Sequence, residues 1–306
     1  MRTLTGTLTR TAASFAAGLL LFAGGVGCAG RVAGTDGAAP AALSTSAPGA
    51  YPRNLVPDGY TGRFRIAAMV LQNQDHGPQL CVAAFSSMPP QCGGLDVPGW
   101  SWDGLPYETA AATTWGSYVL TGTVDGTNFR LTEPARAATD DDRDRFPQPP
   151  RPDYPNPCPT PAGGWRPADP ARTTQEAFEA AYGMVNAQPD FAGSWIKHLT
   201  PPNGTNDPDK VVFVVQFTGD LARHEAEIRA VYGGAICVTA GKRPIAELTK
   251  IQMEEASKPG MSSSVDPVTG TLGIEVFVGT QAHQRDLDAR YGPGVIVLTG
   301  LLTPID

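Results

Sequence analysis

The chain has 306 residues, with 23 basic and 30 acidic side chains and a formal net charge of −7 at pH 7. A surface with this excess of acid repels nucleic acid, so we expect no nucleic-acid partner. The chain has five cysteines, and whether they form disulfides depends on the redox state of the compartment in which the protein folds.

The N-terminal segment has the layout of a signal peptide. Arg2 and Arg10 precede an uncharged run of Ala, Leu, Phe and Gly at 12–26. The run is shorter than the roughly 20 residues that a membrane-spanning helix needs, and its Gly-rich end suits a peptidase site. We therefore predict a signal peptide over residues 1–27 and an exported protein.

Two cleavage sites are compatible with the residues that follow. Bacterial lipoproteins carry a cysteine just after small residues, and Val26, Gly27 and Cys28 fit that pattern, whereas Gly25 departs from it because an aliphatic residue is usual there. Cleavage after Ala29 would instead remove Cys28 and give a secreted soluble protein. We favour lipid attachment at Cys28, at the outer face of the cytoplasmic membrane. It leaves four cysteines, an even number suited to disulfides, and 21 basic against 30 acidic residues.

Two low-complexity segments divide the rest of the chain. Residues 28–59 are rich in Ala, Gly, Ser, Thr and Pro and lack apolar periodicity, which predicts a disordered tether. Residues 137–163 are first acidic and then Pro-rich, which favours an extended linker. We therefore predict two domains, at 60–136 and 164–306.

The first predicted domain is dominated by β-patterns. Every second residue from Phe64 to Val70 is apolar, beginning against Arg63 and Arg65, which indicates a strand with one buried face. A second alternating run at 118–131 contains Asp125 and Gly126, a pair typical of tight hairpin turns. Because no helical pattern separates these runs, we predict a small all-β domain, either a barrel or a sandwich.

The second predicted domain contains an internal repeat. Residues 211–238 align without gaps with residues 270–297, and each copy has the pattern of a strand, a helix and a strand. The two strands of each copy are expected to be parallel, because the helix returns the chain to the same end of the sheet. Two such βαβ units predict a ferredoxin-like α+β domain.

Several residues are placed to begin or end the helices of this domain. Thr173 begins a capping-box pattern before an additional helix. Asp220 and Thr280 are candidate N-caps of the two repeat helices. Gly233 and Gly292 are candidate left-handed residues at their C-terminal ends.

Motifs for metal binding are incomplete. His224 begins an HExxH pattern, but Ile228 stands where the second histidine is needed. His283 occupies the matching position of the second repeat, and we expect both histidines at the rim of a helix–sheet contact. The acidic run from Asp140 has the spacing of a calcium loop, but Arg145 replaces its glycine. We predict no metal, no cofactor and no complete set of catalytic residues.

The most unusual stretch is GWSWDGLPYETAAATTWGSY. Near Asp103 and Glu108 it gathers five aromatic residues, Trp100, Trp102, Tyr107, Trp115 and Tyr118. Aromatic side chains with polar edges suit sugar or peptide surfaces, although large side chains also fill the core of a small β-domain. We take the three tryptophans as possible ligand-binding residues. The two carboxylates offer an alternative, an envelope hydrolase acting on a cell-wall glycan or peptide.

The motifs HGPQLC, PPQCGG, GWSWDG and TTWGSYVLTGTVDGTNFRLTEP, with ARYGPGVIVLTGLLTP near the C-terminus, are similar to segments of secreted or lipid-anchored actinobacterial proteins of unknown function. The resemblance spans both predicted domains. It implies an envelope protein with a Cys81–Cys92 disulfide, and it assigns no catalytic residue. Four cysteines allow three pairings, and local pairing of the first two leaves Cys158 with Cys237.

These observations together predict a non-catalytic cell-envelope lipoprotein. Its membrane attachment is through Cys28, and it is expected to bind a second envelope protein or a glycan. The hydrolase with a spatially assembled carboxylate site is the alternative, because linear motifs do not reveal such a site.

Overall fold

The structure, a computed structural model, describes residues 53–81, 87–91, 93–145, 154–200, 206–255 and 261–305. All of them belong to one compact unit. The predicted signal peptide, Cys28, most of the predicted tether and Cys92 lie outside the described residues. No helix within these ranges has both the length and the hydrophobicity needed to cross a lipid bilayer.

The described residues form sixteen strands and five helices. Strands β1 to β8 are Leu55–Val56, Phe64–Gln72, Gln79–Cys81, Leu95–Asp96, Glu108–Ala110, Thr113–Asp125, Asn128–Leu131 and Arg136–Ala137. Strands β9 to β16 are Phe191–His198, Val211–Phe217, Ala235–Ala240, Met261–Asp266, Thr271–Val276, Gly279–Thr280, Ile296–Gly300 and Thr303–Pro304. Helices α1 to α5 are Asp140–Arg145, Gln175–Asn186, Leu221–Val231, Ile245–Glu255 and Gln281–Tyr291.

Five strands close into a β-barrel. Hydrogen-bonded neighbours run in the order β2, β3, β4, β7 and β6, and β6 pairs again with β2. The β4–β7 contact is parallel and the other contacts are antiparallel. Side chains that alternate along the strands fill the interior, among them Phe64, Leu80, Leu120 and Phe129. The prediction of an all-β region is confirmed, with a barrel as its architecture.

The β6–β7 hairpin differs by one residue from the predicted turn. Asp125 is the last residue of β6 and pairs with Asn128, so Gly126 and Thr127 form the two-residue connection. Gly126 has a φ of 60°, a conformation that glycine adopts without steric cost. The predicted glycine therefore makes the turn, while Asp125 remains in the strand.

Both repeats contain the expected strand–helix–strand order. Strands β10 and β11 flank α3 and are parallel, and β13 and β15 flank α5 and are parallel. The structure adds one antiparallel strand to each unit, β9 beside β10 and β12 beside β13. The result is two separate three-stranded sheets, with orders β11-β10-β9 and β12-β13-β15.

The predicted ferredoxin-like fold is not confirmed. Such a fold would join the two βαβ units in one sheet, which requires a free edge on their inner strands. Here β9 and β11 occupy both edges of β10, and β12 and β15 occupy both edges of β13. Each unit therefore completes its own sheet and packs its own helices on it.

Strand β10 is buried on both faces. Phe213 and Val215 face helices α2 and α3, whereas Val212 and Val214 lie in a second cluster with Cys158 and Trp165. Residues 154–163, predicted as part of the linker, thus lie in a segment that covers this sheet.

Two linkages hold that segment on the sheet. The Trp195 Nε1–H donates to the carbonyl of Pro155 at 2.7 Å, and Cys158 forms a disulfide with Cys237, their Cα atoms being 5.8 Å apart. The predicted Cys158–Cys237 pairing is confirmed. Cys81 is also disulfide-bonded, and its predicted partner Cys92 is outside the described residues.

The helix N-termini confirm one predicted cap and correct two. Thr280 caps α5, because its hydroxyl accepts from the His283 N–H at 3.1 Å. Thr174 caps α2 in place of Thr173, whose hydroxyl instead donates to the Asp169 carbonyl. Asp220 makes no side-chain cap bond at α3.

The two glycines that follow the repeat helices have different roles. Gly292 has a φ of 97°, a conformation that favours glycine. Gly233 does not have a positive φ. Its backbone instead lies against Asp169, so that a Cβ atom would lie only 2.1 Å from the Asp169 carbonyl oxygen. The predicted left-handed residue is therefore wrong for Gly233, which is needed for a close backbone approach.

Residues from both ends of the described chain connect the barrel with the last repeat. Strand β1 pairs with β14, and β16 pairs with β2. Asp58 accepts from the Ala282 N–H at 3.0 Å at the start of α5, and Leu302 lies in the barrel core. Residues 53–59, predicted as the end of the tether, are therefore docked on the last repeat.

Candidate functional site

An aromatic cluster packs on the core of the barrel. The segment between β4 and β5 carries Trp100, Trp102 and Tyr107. Both tryptophan rings lie next to Tyr118 of β6, and the Tyr107 ring lies next to Trp102. The Tyr118 hydroxyl donates to the carbonyl of Pro106 at 2.6 Å, which ties the segment to the barrel. We call the four rings the aromatic cluster.

The rings of the aromatic cluster make edge-to-face and tilted contacts. Trp100 lies 5.0 Å from Tyr118 and 5.3 Å from Trp102, and Trp102 lies 5.6 Å from Tyr107, measured between ring centroids. Such pairs are favourable because the positive edge of one ring meets the negative face of the next. The contacts therefore hold each ring in place through its neighbours.

Burial decreases from the core outward across the aromatic cluster. Tyr118 is fully buried, Trp100 and Trp102 are half-buried, and Tyr107 is 53% exposed. Burial raises the pKa of Tyr118 above its ordinary value, so its hydroxyl stays protonated and remains a donor at neutral pH. The exposed Tyr107 ring therefore packs on rings that are themselves held by burial.

Polar groups surround the aromatic cluster. The Trp102 Nε1–H donates to Gln72 Oε1 at 2.8 Å, whereas the Trp100 Nε1 atom is buried and has no hydrogen-bond partner among the residues that the structure describes. The Ser101 hydroxyl donates to Asp103 Oδ2 at 2.9 Å and accepts from the Asp103 N–H. Glu108 is exposed at the start of β5. These neighbours contribute mainly acceptor oxygens to the surface.

Trp115 is separated from the other two predicted tryptophans. It is 7% exposed and lies in a different cluster with Leu71 and Cys81, on the outer face of β2 and β6. The structure therefore brings together Trp100 and Trp102 but not Trp115. It also brings in Tyr107, which belongs to the same aromatic stretch of the sequence but was not among the three predicted ligand-binding residues.

Asp103 and Glu108, the carboxylates of the alternative hydrolase, are both exposed. Asp103 is held in a turn by Ser101, and Glu108 pairs in register with Trp115 across β5 and β6. A general acid at neutral pH usually needs burial or a close carboxylate to remain protonated. The surroundings of these two residues supply no observation in favour of the hydrolase.

His224 is buried, not at the rim as predicted. It is 1% exposed, its Nε2 lies 2.9 Å from Asp190 Oδ2, and its ring stacks on Phe217 at 3.6 Å. The helical spacing places it on the same inward face as Ile228, which explains its burial. Within the described ranges, no group of three or more His, Cys, Asp and Glu side chains is arranged to hold a metal ion.

Comparison with models of known protein families gives no match for this chain, and a search of curated proteins gives no significant match. Function is therefore argued from the chemistry of the site. Of the surfaces described, the aromatic cluster combines an exposed ring, a fixed geometry and flanking acceptor oxygens. These properties make the aromatic cluster the candidate binding surface of the molecule.

Proposed function

We propose that this protein is a non-catalytic, lipid-anchored protein of the cell envelope that binds a neutral glycan through the aromatic cluster. The observation that carries the proposal is the position of Tyr107, which is 53% exposed and packed edge-on against Trp102. An exposed aromatic ring held by a second ring offers an apolar face on which the C–H face of a sugar can stack.

The polar groups beside the rings suit sugar hydroxyls. Asp103 and Glu108 are exposed and provide oxygen acceptors in the same stretch of chain as Tyr107, and the acidic surface disfavours anionic ligands. Because the rings are fixed by their neighbours, little side-chain freedom is lost when a ligand binds. A neutral glycan is therefore favoured over a nucleic acid or a phosphorylated partner.

The strand order of the barrel supports the same ligand class by analogy. Numbered along the chain, its strands follow the order 1-2-3-5-4 with a parallel contact between the third and fifth. This is the strand order of the OB-fold, whose members bind oligosaccharides or oligonucleotides on a barrel face and adjoining loops. In this chain the aromatic segment lies in the connection between the third and fourth barrel strands, and Trp102 bonds to Gln72 at the end of the first strand.

The proposed location follows from the N-terminal sequence. A diacylglyceryl group on Cys28 would hold the chain at the outer face of the membrane, each buried methylene contributing about 0.8 kcal/mol. Attachment at this position would hold the protein close to the glycans of the envelope.

Co-sedimentation with purified cell-wall polysaccharide tests the proposal. Tyr107→Ala should weaken binding by about tenfold, as expected for an aromatic side chain central to an interface. Tyr182→Ala is the matched control, because Tyr182 is 50% exposed on α2 and lies in another part of the molecule. The proposal is wrong if the wild-type chain does not bind the polysaccharide, or if the two variants bind equally well.

A further inference from the structure

The segment that covers the first three-stranded sheet cannot join that sheet as a strand. Residues 154–165, which we call the strap, have the sequence YPNPCPTPAGGW, with proline at every second position from Pro155 to Pro161. Proline lacks a backbone N–H and so cannot donate to a neighbouring strand. Among the described residues, no backbone–backbone hydrogen bond joins the strap to the sheet. The strap is therefore held by side chains and by its disulfide.

Two side chains of the sheet make the specific attachments. Cys237 of β11 is bonded to Cys158 at the middle of the strap, and Trp195 of β9 donates its Nε1–H to the Pro155 carbonyl at 2.7 Å. The Tyr154 ring lies 6.1 Å from the Trp195 ring and is 38% exposed. A single hydrogen bond stabilises less than the closure of a long covalent loop. The disulfide is therefore the main fastening of the strap.

The second βαβ unit shows that this arrangement of strands and helix does not require a cover. Val212 and Val214 of β10 lie in the cluster beneath the strap, and the repeat aligns them with Thr271 and Gly273 of β13. A Cβ atom at Gly273 would have only Ser264 of the adjacent strand β12 within 4 Å. The strap, and the apolar surface that it covers, are thus features of the first unit alone.

The two sulfur atoms of the disulfide differ in access from outside. Cys237 is 1% exposed and lies within the cluster beneath the strap, whereas Cys158 is half-buried on the strap itself. In thiol–disulfide exchange a thiolate attacks the sulfur that it can reach, and the other sulfur leaves. Attack is therefore expected at Cys158, with Cys237 as the leaving group.

We propose that the Cys158–Cys237 disulfide is a redox-operated fastening of the strap and that Cys158 is the site at which a dithiol reductant acts. The reductant's thiolate forms a mixed disulfide with Cys158 Sγ, and Cys237 leaves as a thiolate that takes up a proton. The second thiol of the reductant then displaces Cys158. The two cysteines gain two electrons and the two protons of the dithiol, which becomes a disulfide.

Reduction releases the strap from the face of the sheet that carries Val212 and Val214, and reoxidation fastens it again. The proposal is independent of glycan binding, because the strap covers a three-stranded sheet and not the barrel. It makes the accessibility of this apolar face depend on the redox state of the surroundings.

The Trp195 indole N–H reports on release, because its acceptor belongs to the strap. NMR of the full chain measures its exchange with deuterated water. Reduction by dithiothreitol should speed that exchange at least about tenfold, as expected when a local opening exposes the bond. The Trp102 indole N–H, bonded to Gln72 in the barrel, is the control and should keep its rate.

The Cys158→Ser/Cys237→Ser variant separates this effect from reduction of the disulfide at Cys81. Without any reductant, it should show the fast Trp195 exchange of the reduced protein. Unchanged exchange at Trp195 in the variant or in the reduced protein, or an equal increase at Trp102, would overturn the proposal.

Peptide mapping identifies the sulfur that is attacked. Brief incubation of the folded chain with glutathione, a monothiol, followed by acid quenching should place the adduct on Cys158. The chain in denaturant is the control, since both cysteines should then be modified. An adduct on Cys237 in the folded chain would show that the assignment of the reacting sulfur is wrong.

Discussion

The ionised form of Asp142 is strongly stabilised by the groups around it. The Arg136 guanidinium, the Thr139 N–H and the Thr139 hydroxyl all favour the ionised form, and they hold the pKa of Asp142 well below its ordinary value of 3.8. A carboxylate with a lowered folded-state pKa stabilises the fold above its unfolded pKa. That contribution is lost as the pH falls through the lower folded-state value.

Asp142→Asn should therefore destabilise the protein at neutral pH, and the difference from the wild type should shrink on acidification from about pH 5 to about pH 2. Chemical denaturation at several pH values measures this. Asp125→Asn is the control, because Asp125 is exposed and pairs only with Arg130 among the described residues. A wild-type-to-variant difference that does not change with pH would show that the Asp142 charge has no such role.

Gly233 is a residue that packing requires to be glycine. Its carbonyl accepts from the Ala168 and Asp169 N–H groups, and its own N–H donates to Arg172. Because a Cβ atom would overlap the Asp169 backbone, Gly233→Ala should destabilise the protein by about 1–3 kcal/mol. Gly219→Ala is the control, since nothing lies within 4 Å of a Cβ atom there. Equal unfolding free energies for the two variants would contradict this.

The aromatic residues show how far single positions can be predicted. Trp100 and Trp102 were recognised from their composition alone, and the structure brings them together. Strand alternation would place Trp115 on the outer face of β6, but its cross-strand neighbour Leu71 helps to bury it there. Such burial depends on strands that are distant in sequence, so the pattern around Trp115 could not reveal it. The exposure of Tyr107 depends on the same kind of contact.

At the level of elements, local sequence patterns were sufficient to predict the βαβ units. They were not sufficient to predict which distant strands pair with those units. The repeat identified both βαβ units, because a strand, its helix and the next strand are contiguous in sequence. The partners of their inner strands were missed. β9 and β12 precede each unit and occupy edges that a ferredoxin-like sheet would use. Composition similarly predicted a linker at 154–163, although these residues lie in the segment that covers the first sheet.

The Cys158–Cys237 disulfide should contribute strongly to that covering segment. It closes a loop with a sequence separation of 79 residues, and the chain-entropy account gives about 4.5 kcal/mol as an upper value for such a loop. Replacing both cysteines by serine should lower the unfolding temperature by several degrees, measured by calorimetry.

A second, milder substitution separates the stability contributed by the disulfide from that contributed by the contacts around it. Trp195→Phe removes the hydrogen bond to Pro155 but keeps the ring, so it should cost only about 1 kcal/mol. An unchanged unfolding temperature in the double-serine variant would mean that the segment is held by packing alone.

At the scale of the whole molecule, the proposed lipid anchor at Cys28 would determine where the protein lies. Cys28→Ser should move the protein from the membrane fraction to the soluble fraction, because the proposed diacylglyceryl group supplies the membrane affinity. Fractionation and immunoblotting measure the distribution, and mass spectrometry of the wild-type N-terminus is the control. A variant that stays with the membrane, or a wild-type N-terminus beyond residue 28, would contradict lipid attachment.

Binding of a glycan at the aromatic cluster is the central claim, and the tryptophan indole resonances report on it directly. In a ¹H–¹⁵N NMR titration with a soluble cell-wall oligosaccharide, the Trp102 indole N–H should shift, because it lies beside the exposed Tyr107 ring. The Trp195 indole N–H, bonded to Pro155 in another part of the fold, should not move. Shifts at Trp195 without shifts at Trp102, or no shifts at all, would contradict the assignment of this surface.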